Sequence, residues 1–369
     1  MCSIPILITG KKNDIIMRIL IIGINIRHIA SSAARAGHEV VAVDGFCDLD
    51  LRDFAPKTEL LPREGAEDLL PAYIERFRPD AVVLGPGLEE ARTDGVLVLN
   101  NPAQKTALVS DKLWLARWLE KKGYPFIRTT STPDDLQYPI LVKPRKGAGG
   151  VGCRLVKSAS ELDWEGGLIA QDLILGRPAS VSVIGNGREA KAIAVNEQLI
   201  GAPWSGARGF RYTGNITPLP LPDFGIAKLA EDVVSELGLF GSNGVDFLLT
   251  KHGPVVVEVN SRFQGSLDTV ETATGFNVFA AHLESFAGRL PERPIPRLYA
   301  GRAIIFASRD FTIEEDLRRD WTADVPCPGS RINMDDPVLS ILAKGLGRYE
   351  VLALLEKRAA KLRRRWGEK

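Results

Sequence analysis

Residues 246–264, DFLLTKHGPVVVEVNSRFQ, constrain this chain more tightly than any other stretch. An acidic residue in one strand is followed by a short turn, Lys251-His252-Gly253-Pro254, and by E-x-N-x-R at the end of the next strand. If the two segments pair as a hairpin, Asp246, Glu258 and Asn260 gather at one end of it. Hard oxygen donors of this type suit Mg²⁺ (or Mn²⁺), which binds through one or two carboxylates plus substrate phosphates. Arg262 lies two residues beyond Asn260 and shares a strand face with Glu258 and Asn260. A cation beside a magnesium–phosphate site points to chemistry that makes or stabilises an acyl phosphate.

The chain has 369 residues, enough for two or three domains. A hydrophobic share of 45% and a charged share of 25% are ordinary for a soluble globular protein. The net charge of +1 gives no electrostatic ground for a nucleic-acid or membrane partner, and neither is expected. Cys2, Cys47, Cys153 and Cys327 form no C-x-x-C pair and fit a reducing cytoplasm. The histidines form no H-x-x-x-H pair, so no histidine metal site is expected. No apolar run reaches the ~18 residues that span a bilayer. MRILIIG reads like a natural start at Met17. The residues before it lack a small-residue cleavage site, and 1–16 are taken as an extension of unknown role.

RILIIGI (18–24) predicts a buried strand, Gly23 a turn into a helix over 26–36, and EVVAVD (39–44) a second strand. This βαβ start carries only Gly23 of the G-x-G-x-x-G signature, so it is read as structural rather than nucleotide-binding. DAVVLGPG (80–87) and VLVLN (96–100) continue the α/β pattern. A helix capped by Ser110 follows, stopping at Gly123 with Pro125 beyond. Residues 138–156 predict strand, glycine-rich loop, strand; 168–174 a strand; 180–196 a hairpin; 226–238 a helix. A helix near 276–287 leads to the proline-rich connector 291–297. A strand (301–307), a turn region (325–332) and a terminal helix (346–366) complete the chain. The basic end of that helix, KLRRRWGEK, reads as cations favoured at a helix C-terminus.

The loop between the strands of 138–156 contains Gly147, Gly149, Gly150 and Gly152. Positions without side chains let backbone N–H groups approach phosphate oxygens closely. Lys143, in the strand LVKP, supplies a point charge for phosphate. Lys112, just after Ser110-Asp111, would by itself be an ordinary solvated helix residue and gains meaning only with the others. The stretch 196–218 reads as a long loop whose Trp204, Arg208, Arg211 and Tyr212 would line the acceptor-substrate surface.

Lys112, Lys143 with GAGGVG, Gln171-Asp172-Leu173-Ile174, Asp246 and E-x-N-x-R-x-Q occur in an order and spacing that resembles the ATP-grasp superfamily over about residues 17–290. EVNSRFQ in particular looks like the metal-binding strand of its biotin carboxylase and carbamoyl phosphate synthase branch. The resemblance implies an α/β and α+β fold: a Rossmann-like pre-ATP-grasp domain at 17–103, small and large ATP-grasp subdomains at 104–174 and 175–296, and a small α+β extension at 297–369. It implies that Lys112 and Lys143 contact ATP phosphates under the 147–152 loop, and that Gln171, Asp172 and Ile174 line the adenine. Asp246, Glu258 and Asn260 would hold Mg²⁺, and Arg262 would stabilise the transferred phosphoryl group.

Two departures narrow the reading. Pro178 stands where the family usually has a ribose-binding glutamate, so ribose must rely on another group. Gly265-Ser266 stand where biotin carboxylases place a general base, and no biotin-attachment M-K-M sequence is present. The resemblance then implies a carboxylate–amine ligase with small-molecule carboxylate and amine substrates, with bicarbonate activation or a non-catalytic ATP-binding regulator as alternatives. A homodimer is expected only from the frequency of twofold symmetry.

Overall fold

Ile19, Leu20, Ile21 and Ile22 are all fully buried, because their strand is covered on both faces. The structure is a computed structural model that describes residues 16–220 and 224–366. The extension expected at the N-terminus thus lies, except for Ile16, outside the described residues, as do the last three residues of the basic C-terminal end.

Strands β1 (Arg18–Gly23), β2 (Glu39–Asp44), β3 (Lys57–Leu60), β4 (Ala81–Leu84) and β5 (Leu97–Val98) form a parallel sheet in the order β3-β2-β1-β4-β5. Helix α1 (Arg27–Arg35) covers one face and α2 (Leu70–Phe77) the other. The acidic residue that ends β2, Asp44, is tied into the backbone around it. Asp44 accepts hydrogen bonds from the backbone N–H groups of Ile26, Phe46 and Cys47, each at 2.8 Å. Burial pushes its carboxyl up to about 6 against the pull of those donors.

Helices α3 (Ala103–Val109) and α4 (Lys112–Lys122) lead into a four-stranded antiparallel sheet. Its strands β6 (Thr129–Thr130), β7 (Ile140–Pro144), β8 (Arg154–Val156) and β9 (Leu168–Asp172) lie in the order β6-β9-β7-β8. The cap of α4 differs from expectation. Asp111, not Ser110, accepts from Leu113 N and Trp114 N, at 3.1 and 3.2 Å, while the Ser110 hydroxyl donates to Glu90. A carboxylate one residue nearer the helix reaches the free amides better.

The large sheet is antiparallel and eight-stranded. It contains β10 (Arg177–Asn186), β11 (Ala190–Ile200), β12 (Tyr212–Thr217), β13 (Phe240–Thr250), β14 (Gly253–Asn260), β15 (Tyr299–Phe306), β17 (Thr322–Ala323) and β19 (Pro337–Gly345), in the order β14-β13-β10-β11-β12-β15-β19-β17. A separate pair, β16 (Phe311–Thr312) and β18 (Arg331–Ile332), lies beside it in sequence. Strands β15 and β19 follow the proline-rich connector, yet β15 pairs directly with β12. The sheet therefore continues through that connector. The expected loop 196–218 is shorter than it looked, because β11 runs to Ile200 and β12 begins at Tyr212.

One face of the large sheet packs Ala179, Val181 and Val183 against α5 (Ile226–Glu236) and α4. Toward the parallel sheet lie α6 (Leu267–Thr274) and α7 (Val278–Phe286), and α8 (Arg348–Arg365) covers β15 and β19. Sequence reading expected one helix near 276–287; α6 is an additional helix that starts directly after Gly265-Ser266.

Phe279 of α7 is fully buried in a cluster that joins Ile19, Ile21, Ile29 and Ala33 to Phe263 and Val270. Its backbone N–H donates to Ser32 Oγ at 3.1 Å. The parallel sheet and the large sheet thus share one core. Replacing Phe279 by Ala opens a cavity in that shared core and should cost about 3–5 kcal/mol. A lower urea midpoint, followed by circular dichroism, is the expected result; an unchanged midpoint contradicts the shared core.

Candidate active site

The hairpin β13–β14 sets Asp246 directly opposite Glu258, and Gly244 opposite Asn260. A bulge between Asp246 and Phe247 locally breaks the alternation. The turn is tighter than the sequence implied: Thr250 pairs with Gly253, leaving Lys251 and His252 as the turn, and Pro254 already lies in β14. An edge strand tolerates that proline. Asp246 accepts from Gln198 Nε2 at 3.0 Å and from Asn260 Nδ2 at 3.4 Å.

Opposite the hairpin stand two buried lysines. Lys112 Nζ donates to Gly147 O at 2.6 Å and lies 3.8 Å from Glu258. Lys143 sits on β7. Burial lowers its ammonium pKa; Glu258 opposes that, and Lys112 adds to it. Between them Gly147, Gly149, Gly150 and Gly152 all have φ in the left-handed region. Gly150 is the most constrained of them: a Cβ there would stand 2.0 Å from Phe210 O. Tyr212 N donates to Gly149 O at 3.0 Å, which docks the glycine-rich loop on the start of β12.

These groups line one cleft of about 1310 Å³ between the three sheets. Lys112, Lys143, Gly147, Gly149, Gly150, Gln171, Asp172, Ile174, Asp246, Glu258, Asn260 and Arg262 all reach it. Gly152 does not; its absent side chain instead leaves room for the Pro144 ring. Gln171 Nε2 donates to Thr129 at 2.7 Å, while its buried Oε1 has no partner among the described residues and offers an open acceptor. Pro178 forms part of the wall, where no carboxylate stands in its place.

Arg262 is held from outside the hairpin. Its Nε contacts Glu89 Oε1 at 2.8 Å and its Nη1 donates to Phe263 O at 2.9 Å. The neighbouring Glu90 pairs with Lys146 of the glycine-rich loop at 2.8 Å. The segment after β4 therefore touches both the arginine and the loop. Sequence reading missed Glu89, Glu90 and Gln198. For Glu89 and Glu90 the usable signal was topology, since ligand sites in parallel α/β sheets form at the carboxyl ends of strands; Gln198, on the antiparallel β11, gave no such signal.

The expected cationic, aromatic acceptor lining needs correction. Tyr212 lines the cleft, but Trp204, Arg208 and Arg211 do not. Trp204 packs on the core beneath α8. Arg211 donates to Asp335 O at 2.6 Å and stands 4.4 Å over the Phe306 ring, and Arg208 is exposed. The partners of Trp204 and Arg211 lie beyond residue 300, which the loop sequence alone could not reveal.

Residues 109–266 match the family model of the ATP-grasp domain. An uncharacterised protein of Methanocaldococcus jannaschii is 25% identical over 356 residues, covering 89% of this chain and 88% of the relative. The formate-dependent phosphoribosylglycinamide formyltransferase of Pectobacterium carotovorum is 26% identical, covering 71% of this chain and 73% of the relative. A probable alpha-L-glutamate ligase of Vibrio atlanticus is 26% identical, covering 71% and 92%. The biotin carboxylase domain of the Hydrogenobacter thermophilus 2-oxoglutarate carboxylase, solved with MgADP and bicarbonate, shares the fold with a TM-score of 0.73 at 15% identity, covering 90% of this chain and 87% of that one.

Burial first, and Glu258 second, push the Asp246 carboxyl from an ordinary 3.8 up to about 7. The two carboxyls face each other across the hairpin. A folded value above the unfolded one means that the stabilising contribution is complete at low pH and is lost as the pH rises through about 7. Asp246→Asn removes that penalty. Without added divalent cations its Tm should exceed the parent's at pH 8 by roughly 2 °C or more, and the gap should close toward pH 4. A gap independent of pH would contradict the assignment.

Proposed function

From the premise that residues 109–266 form an ATP-grasp domain, we propose that this chain is an ATP-dependent ligase that joins a small-molecule carboxylate to an amine. The observation that carries the reading is the facing pair Asp246–Glu258, with Lys112 beside Glu258 and Arg262 at the strand end, in one cleft. Two named relatives, a formate-dependent formyltransferase and a glutamate ligase, agree with carboxylate chemistry.

A carboxylate is resonance-stabilised and a poor acyl donor, so it must be activated. In the reaction we propose, a substrate carboxylate oxygen attacks the γ-phosphorus of ATP and ADP leaves. The amine then attacks the acyl carbon, the C–N bond forms, phosphate leaves and the nitrogen loses a proton. Lys112 and Lys143 are placed to neutralise phosphate charge, and the glycine-rich loop offers backbone N–H groups. Arg262 offsets charge on the transferred phosphoryl group, replacing its contact with Glu89. Gln171 Oε1 offers an acceptor to the adenine amino group.

Asp246, Glu258 and the Asn260 carbonyl are a fitting set for Mg²⁺. All are hard oxygens, and a carboxyl whose proton affinity is raised by a neighbouring carboxyl is relieved by a cation. When bound, Mg²⁺ supplies Lewis-acid neutralisation of phosphate oxygens. The residues just beyond Gln264 disfavour carboxylation of bicarbonate. The first carboxylate after Gly265-Ser266 is Asp268, and Arg27 clasps it through both oxygens, at 3.0 and 2.5 Å, in a fully buried pair.

The test is ADP release with a panel of carboxylates and amines. Release that requires both partners is expected; failure of every pair to exceed background overturns the ligase reading. Glu258→Gln should lower turnover by about 100-fold or more with the fold retained, since a neutral amide does not replace a metal-bridging carboxylate. Near-parental activity would remove the metal role.

A further inference from the structure

The cleft is also lined by residues that the phosphate chemistry above does not use: His28, Asp48, Tyr212, Gly265, Arg302 and Asp324. His28 comes from the first turn of α1 and Asp48 from the loop after β2. Both elements begin at the carboxyl edge of the parallel sheet, where such sheets take ligands.

The cations here are committed. Arg302 donates to Asp324 at 2.6 Å, to Gly265 O at 2.9 Å and to Ser340 at 3.1 Å. Arg27 is occupied by Asp268 and Asp324. The acceptors are not. His28 is 3% exposed, and neither ring nitrogen has a hydrogen-bond partner among the described residues. Burial and the adjacent Arg302 keep the ring neutral, so one nitrogen is an acceptor. Asp48 is 4% exposed; its backbone carbonyl accepts from Leu51 N at 3.1 Å, but its carboxylate does not cap the helical turn that follows and accepts no hydrogen bond from a described residue. Burial, Asp324, Asp44 and Asp50 raise its proton affinity, and Arg27, itself paired with Asp268 and Asp324, offsets this only in part. Buried polar groups are normally satisfied, so unspent acceptors beside a cavity call for a donor-rich ligand group.

We propose that this part of the cleft seats the acceptor substrate, an unphosphorylated primary amine that arrives as its ammonium, with Asp48 as counter-ion and His28 as hydrogen-bond acceptor, and that Asp48 takes one ammonium proton to free the nitrogen lone pair before attack, the second proton leaving the nitrogen once the C–N bond has formed. The inference rests on the ligase reading and adds the acceptor's class to it. A phosphorylated amine would bring negative charge to a wall whose buried guanidiniums are already paired.

The experiment uses the full chain with MgATP. Hydroxylamine first traps any acyl phosphate as a hydroxamate, which identifies a working carboxylate without the acceptor. With that carboxylate, ADP release is measured against glycinamide, ethylamine, 1,4-diaminobutane and O-phosphoethanolamine. At least one unphosphorylated amine should stimulate release, with O-phosphoethanolamine at least tenfold poorer. Asp48→Asn matches the shape of the protonated carboxyl; it should raise the amine KM at least tenfold while the KM for ATP stays within twofold. His28→Ala, checked by thermal unfolding, should raise the amine KM severalfold. Preference for O-phosphoethanolamine, or an amine KM unmoved in both variants, overturns this inference alone. No hydroxamate from any carboxylate overturns the ligase reading itself.

Discussion

Four buried charges hold the molecule together at the floor of its cleft. Arg27 comes from α1, Asp268 from α6, Arg302 from β15 and Asp324 from the segment after β17. Burial penalises every one of them, and only mutual pairing offsets the cost. It pushes both carboxyls up, but the two guanidiniums hold them below their ordinary range. Removing one member of such a set leaves an uncompensated buried charge, a loss of about 3–5 kcal/mol. Well-packed apolar residues would bring comparable stability, so the network is better understood as a device that fixes position. It ties the parallel sheet to the large sheet and holds the Gly265 carbonyl through Arg302. That carbonyl lies five residues beyond Asn260, the last residue of β14.

What could be read from the sequence was what is local in it. Asp246, Glu258 and Asn260 belong to one hairpin, and a two-residue side-chain period with a short turn suffices to bring them together. The glycine-rich loop and Lys143 share the β7–β8 connection. The parallel sheet announces itself by apolar runs such as Ile19–Ile22. What stayed hidden was set by pairing across distance. Arg27 and Asp268 are 241 positions apart, and no property of either residue names the other. Arg211 and Trp204 looked like an acceptor lining because their real partners, Phe306, Asp335 and the core under α8, lie more than ninety residues away in the chain. The helix cap was misplaced by one residue, because Ser110 and Asp111 are both good caps and only the structure shows that Asp111 stands at the N-cap position while Ser110 donates to Glu90.

Arg262 shows how the parallel sheet enters the chemistry. Its strand supplies the side chain, but Glu89 after β4 fixes its orientation. The next residue, Glu90, holds Lys146 at the edge of the glycine-rich loop. On the ligase reading, phosphate bound between them would compete with both carboxylates, and the Arg262–Glu89 contact would be the one it replaces.

The two ends of the cleft use one physical device. At each, a buried carboxyl is crowded by other carboxyls until its proton is hard to remove: Asp246 by Glu258, Asp48 by Asp324 and Asp44. A site of this kind gains most from a cation, because the cation relieves desolvation and repulsion together. At Asp246 the neighbours are oxygen donors and phosphate-directed lysines, which suits a metal ion bridging to phosphate. At Asp48 they are a neutral imidazole and paired guanidiniums, which suits an ammonium with its own hydrogen-bond donors. On the ligase reading, anionic phosphate would lie toward the lysines and the acceptor amine toward Asp48.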